Sequence, residues 1–209
     1  MINTFGHWLK QRRKALGLTQ KALAQQAGLP ERSEHRDLLL RGGGTPLDLR
    51  GGVDVHGVPG LVHGAPLRML DRVTGRWTDV RGALGAARGE KLVDPNEWFF
   101  RAHFYRDPVQ PGSLGIEALL QLAQVWMAES GQLDGMAAPV FEPIASGRRL
   151  VWRYRGQVTP KHQVIHTTAR ALSVERDDGV VATFDGSLWC DGLRIYEVEG
   201  LSMRAVEQR

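Results

Sequence analysis

The chain has 209 residues, 27 Lys and Arg against 23 Asp and Glu, a formal net charge of +4, a hydrophobic fraction of 42% and a single cysteine. That length allows one domain of roughly 150 residues plus an appendage, and the apolar fraction is ordinary for a folded soluble chain. Cys190 alone excludes an intramolecular disulfide framework, and no apolar run is long enough to span a bilayer or serve as a secretory signal, so a cytoplasmic setting with no membrane partner is expected.

The first residues place Phe5, Trp8, Leu9 and Leu16 at helical spacing, and Thr19 can cap a second helix from Gln20 to Ala27 that stops at Gly28. One more short helix fits Ser33 to Arg41. Gly42-Gly43-Gly44-Thr45-Pro46 then opens a Gly-rich stretch through Gly60. The implied organisation is a helical appendage over 1–40, a flexible linker over 41–63 and a main domain over 64–209. Through residue 60 there are nine basic and five acidic residues, so the positive balance of the chain sits here. A basic arm attracts phosphates, but so few helices bury too little surface to fold alone, and a specific nucleic acid partner is not expected.

The main domain opens on a weak strand, Arg68 to Trp77. The aromatic run Trp98 to Tyr105 favours an extended segment ending near His103. Asp107-Pro108 and Gln110-Pro111-Gly112 fix two φ angles and supply a residue without a side chain, which makes the next loop stiff. Ser113 to Ser130 is apolar on nearly every face, a buried helix with Gly131 as its stop. Four strands follow, Leu150 to Arg155, Gln163 to Val174, Val180 to Leu188 and Leu193 to Val206, the last three joined by the hairpin signals Asp178-Gly179 and Asp191-Gly192. Alternation over 164–171 puts Ile165, Thr167, Ala169 and Ala171 on one face and Val164, His166, Thr168 and Arg170 on the other, read as a wet face.

A helix starting near Gly112 leaves the amides of Gly112, Ser113 and Leu114 without helical partners, a donor cluster suited to a carbonyl oxygen that gains charge. Glu117 is the odd residue in that apolar helix, either functional or an acid meeting the helix dipole. His103 taken alone is as well explained by structure, and Asp107 by ordering the turn. The remaining histidines show no spacing with cysteines or carboxylates of the kind metals require, so neither metal nor cofactor is expected.

Taken together, His103-Phe104, Asp107-Pro108-Val109, Pro111-Gly112, Leu114-Gly115 and Glu117-Ala118 resemble the active-site segment of the bacterial 3-hydroxyacyl-[acyl-carrier-protein] dehydratases, in particular the 3-hydroxydecanoyl branch. The similarity extends from about Gly64 to Val206, and the Gly186 to Tyr196 stretch is most similar to dehydratase domains of polyunsaturated fatty acid synthases. Residues Leu9 to Ala24 resemble the opening of a Cro/repressor-type helix-turn-helix domain.

The resemblance implies an α+β hotdog fold, a curved antiparallel sheet wrapped around one buried helix. It implies His103 as the base that takes the α-proton of a 3-hydroxyacyl thioester and Glu117 as the acid that protonates the departing hydroxyl, with Gly112, Val109 and Ser113 holding the thioester. An imidazole accepts protons near neutrality, and a carboxyl set among apolar side chains is suited to carry one. Glutamate at position 117 is the residue of dehydration-only enzymes, whereas the isomerising branch carries aspartate there. Implied partners are an acyl carrier protein, which Arg148, Arg149, Arg153, Arg155 and Lys161 would meet, and a second copy of the chain in a homodimer. A hotdog thioesterase and an acyl-sensing DNA-binding regulator are the alternatives.

Overall fold

The computed structural model describes residues 33–50 and 65–208, and its compact units divide between Asp37 and Leu38. The helix-turn-helix-like segment and most of the proposed linker lie outside the described residues. Helix α1 covers Ser33–Leu40, as its composition suggests. Within the stretch read as linker, β1 (Leu47–Asp48) pairs with β2 (Arg72–Trp77).

The remaining strands are β3 (Gly85–Leu92), β4 (Pro139–Phe141), β5 (Val151–Tyr154), β6 (Val164–Glu175), β7 (Val180–Cys190) and β8 (Leu193–Glu207). Among the described residues the sheet is antiparallel throughout and runs β1-β2-β3-β6-β7-β8-β4, with β5 also on β8. Both Asp-Gly hairpins form where the sequence places them, with Gly179 at φ 85°, Asp191 at 47° and Gly192 at 80°, the left-handed conformation that tight hairpin turns need.

Strand β3, near the middle of the sheet, is the longest strand that sequence reasoning misses, the others being the short β1 and β4. Gly85-Ala86-Ala87-Arg88-Gly89 has poor strand propensity, and its small residues exist to admit neighbours. A Cβ on Gly85 would lie 2.9 Å from Trp126 Nε1, and one on Gly89 2.7 Å from both Leu70 Cδ2 and Thr167 Oγ1. Packing overrides propensity here.

The main helix covers Gly112–Glu129 and lies against β3, β6, β7 and β8. It is buried from Leu114 to Ala128 at every position except Glu117. Leu119, Leu122 and Met127 are fully enclosed, each contributing about 1.5–3 kcal/mol of burial. The helix ends as the sequence suggests, with Gly131 at φ 71° and Gln132 N donating to Met127 O at 3.0 Å. A curled antiparallel sheet enclosing one apolar helix is the hotdog fold.

The face expected to be wet is less so. Ile165, Thr167, Ala169 and Ala171 are buried as expected, but Thr168 and Arg170 opposite them are buried as well. Trp189 of β7, itself buried, places its Nε1 3.5 Å from Thr168 Oγ1, and Arg170 Nη2 donates to Arg81 O at 2.9 Å.

Candidate active site

The segment before His103 is a short helix, α2 (Trp98–Ala102), where the aromatic content favoured a strand. The reason is local. Asp94 Oδ1 accepts the Asn96 amide at 2.8 Å and Asp94 O accepts that of Glu97 at 3.1 Å, so the chain turns before the aromatics begin. Phe99 and Phe100 then bury, and Trp98 Nε1 donates to Pro66 O at 2.7 Å. Buried Lys91 meets Glu97 Oε1 at 2.7 Å immediately ahead of the helix and pins its entry. The main helix, Gly112–Glu129, is therefore α3 in chain order.

His103 is the C-cap residue of α2, its amide donating to Phe99 O at 2.9 Å. Its Nδ1 lies 3.0 Å from Val109 O. A carbonyl only accepts, so the proton of the neutral ring sits on Nδ1 and the lone pair on Nε2. That tautomer makes Nε2 the basic atom. The Phe104 ring lies against the imidazole, with centroids 4.0 Å apart and the planes tilted by 39°. Between His103 and Val109 the loop carries two residues in the left-handed region, Phe104 at φ 61° and Arg106 at 60°. Val109 is buried, and Gln110 N donates to Val158 O at 2.9 Å, tying the loop to the chain beyond β5.

Pro111 caps α3, and Gly112 is its first residue. A Cβ at Gly112 would meet Trp152 Cη2 at 2.9 Å, and one at Gly115 would overlap the Tyr196 ring, so glycines let the first turn press against an aromatic wall. The amides of Gly112 and Ser113 have no helical acceptor, whereas Leu114 N is bonded to Pro111 O at 3.0 Å. The donor cluster read from sequence is thus a pair rather than three. Ser113 is exposed and Gly112 half-buried.

Glu117 is half-buried, and Gln121, one turn on, donates Nε2 to Glu117 Oε1 at 2.8 Å. The same nitrogen donates to Leu67 O at 2.7 Å, while Gln121 Oε1 accepts the Met69 amide at 2.8 Å. Gln121 is therefore fixed at both ends. Sequence reasoning missed it, although a second polar residue four positions from Glu117 in an apolar helix carries the signal. His103 and Glu117 have separate anchors, the first through Val109 and the second through Gln121.

Of the five basic residues read as a docking patch, three are already paired: Arg148 with Glu175 at 2.6 Å, Arg153 with Glu199 at 2.8 Å and Arg155 with Glu197 at 3.4 Å. Arg149 and Lys161 are exposed. Arg153 lies in β5 facing Glu197 of β8 in register, Arg155 follows the strand and meets that same Glu197, and Arg148, ahead of β5, meets an acid at the end of β6.

Spacing gave no sign of metal ligands, yet the chain entering β6 and the β7–β8 turn bring ligand atoms of His162, Cys190 and Asp191 within 4.8 Å of one another. Two of the three hold backbone amides. His162 Nδ1 accepts the Thr159 amide at 2.9 Å, and Asp191 Oδ1 accepts those of Gln163 and Val164 at 3.0 and 2.9 Å. Burial, followed by the Asp191 charge, pushes the Cys190 thiol up to about 12, so it keeps its proton. His162 and Asp191 pin the chain entering β6 to the β7–β8 turn. A cavity of about 270 Å³ lined by Arg76, Trp77, Trp126 and Glu129 lies at the C-terminal end of α3, apart from the residues just described.

Residues 61–199 match the family model of the FabA-like domain. The chain is 40% identical over 144 residues to one component of the polyunsaturated fatty acid synthase of Thraustochytrium sp., a match spanning 68% of this chain and 9% of that protein. The chain thus corresponds to a small part of that relative. Among solved structures it is similar to the dehydratase heterocomplex ApeI:P from Xenorhabdus doucetiae, with a TM-score of 0.50 and 16% identity over 71% of this chain and 89% of that one, a likeness of fold. With the family model covering well over half of its length, the chain belongs to the FabA-like domain family.

Proposed function

We propose that this chain dehydrates a 3-hydroxyacyl thioester carried on an acyl carrier protein to the 2-enoyl thioester. The observation that carries this reading is the 3.0 Å approach of His103 Nδ1 to Val109 O: a carbonyl can only accept, so Nδ1–H of the neutral ring points there and Nε2 is left bare as a base. Nε2 takes the α-proton, and the electron pair moves toward the thioester carbonyl. The amide of Gly112 meets the growing charge on oxygen, a contribution of about 3 kcal/mol if it acts as other such donors do. Glu117 gives its proton to the 3-hydroxyl, which leaves as water. Gln121 donates to Oε1, so the proton that Glu117 delivers sits on Oε2.

The acid and base complete one another across a homodimer in this reading. Phe104 and Tyr105, 63% and 87% exposed beside His103, are the surface that a second copy would cover. Co-producing His103→Ala with Glu117→Ala tests the arrangement, since random pairing restores roughly a quarter of the sites only if each site draws on both protomers. Product analysis tests the chemistry. Enoyl thioester without free thiol fits dehydration, and free thiol without enoyl product makes the chain a thioesterase.

A further inference from the structure

Strand β5 places Trp152 and Tyr154 two residues apart on one face, opposite Val198 and Tyr196 of β8. The three rings form one cluster, with centroids 5.8 Å apart for Trp152 and Tyr154, 5.4 Å for Trp152 and Tyr196, and 5.0 Å for Tyr154 and Tyr196. Tyr196 is 2% exposed and seated against Gly115, so the cluster has a rigid base. Burial raises the hydroxyl titration of both tyrosines, which therefore stay neutral. Trp152 and Tyr154 remain 38% and 43% exposed, and both rings border the position a Gly112 side chain would take, at 2.9 and 3.4 Å.

We infer that Trp152 and Tyr154 form the wall on which the pantetheine arm of the substrate lies, an inference that rests on the function proposed above. The Gly112 amide sets where the thioester carbonyl goes, and two groups leave that carbonyl in opposite directions. The acyl chain, apolar beyond its 3-hydroxyl, gains by entering a water-excluded space. The pantetheine arm alternates amides with methylene and gem-dimethyl groups and must reach solvent, where the carrier protein is. A half-exposed aromatic wall contiguous with the first turn of α3 suits the arm, since flat rings cover its apolar groups while its amides stay wet. Trp152 and Tyr154 are thus specificity-determining residues for the arm rather than for the acyl chain.

The test uses the full chain and two unreactive probes with the same saturated acyl group, an acyl-pantetheine amide and the truncated acyl-cysteamine amide, titrated by calorimetry. Trp152→Ala is expected to weaken the pantetheine probe roughly 5–10-fold while leaving the truncated probe within about twofold, and Trp152→Phe to restore most of the loss. Equal weakening of both probes, a loss that grows with acyl length, no change, or no binding of the pantetheine probe by the intact protein each overturns the inference. Thermal melting verifies that the variant is folded, with Trp152→Leu as the substitute if the alanine variant is not. Neither probe can dehydrate, so a protein that binds the longer probe through Trp152 yet makes no enoyl product sinks the proposed reaction and leaves the wall standing.

Discussion

Gln121 Nε2 sits 2.8 Å from Glu117 Oε1 while its own oxygen holds the Met69 amide, so one buried side chain fixes the carboxylate and the chain entering β2 together. Glu117 is the one break in the burial of α3 between Leu114 and Ala128, and the amide that fixes it is buried. Gln121→Leu is expected to lower kcat about tenfold with little change in KM, because the Glu117 carboxyl group loses its orientation. The Met69 amide and Leu67 carbonyl lose their partner at the same time, costing about 1–3 kcal/mol of stability. Steady-state kinetics and a urea melt on one preparation separate the two effects.

Arg106 at φ 60° sits in an exposed loop where a side chain gains little from the left-handed conformation. Its guanidinium lies 5.0 Å from the ring of neighbouring Tyr105, a contact at the surface. Arg106→Gly is expected to raise stability by about 0.5–1 kcal/mol, the left-handed penalty less the added entropy of the unfolded chain. A lower urea midpoint in the variant contradicts this.

His166 faces Glu90 at 3.3 Å, and Arg72 pairs with the same carboxylate from the strand beyond. Burial, opposed by the Glu90 charge, holds the imidazole below its usual 6.5. A histidine depressed in the folded state contributes stability that is present above the unfolded value and lost as pH falls below it. His166→Gln is therefore expected to flatten the fall in unfolding free energy as pH drops below about 6.5, while leaving stability above pH ~7.5 comparatively little changed. Equal slopes for the two proteins contradict it.

Most of the sheet is legible in the sequence because β6, β7 and β8 have strand-like composition, residues 164–171 alternate and Asp-Gly turns join the strands, and α3 because it is apolar on nearly every face and stops at Gly131. β3 is not, since its glycines answer to Trp126, Leu70 and Leu122, contacts that sequence spacing does not reveal. α2 departs from expectation for the converse reason, as β-favouring aromatics follow a turn at Asp94 that sends them into a helix. In the candidate site His103, Glu117 and Gly112 stand out by motif. Gln121 and the aromatic wall depend on neighbours 54 and 40 residues away, Leu67 to Gln121 and Gly112 to Trp152, which only the fold supplies.

Single-turnover formation of enoyl thioester by the intact protein, His103→Ala, Glu117→Ala and the double variant tests the proposed reaction most directly. If base and acid act as one unit, each single variant loses on the order of a thousandfold or more and the double variant is scarcely worse than either. Unimpaired dehydration in either single variant, or losses that simply multiply in the double, would contradict the roles assigned to His103 and Glu117.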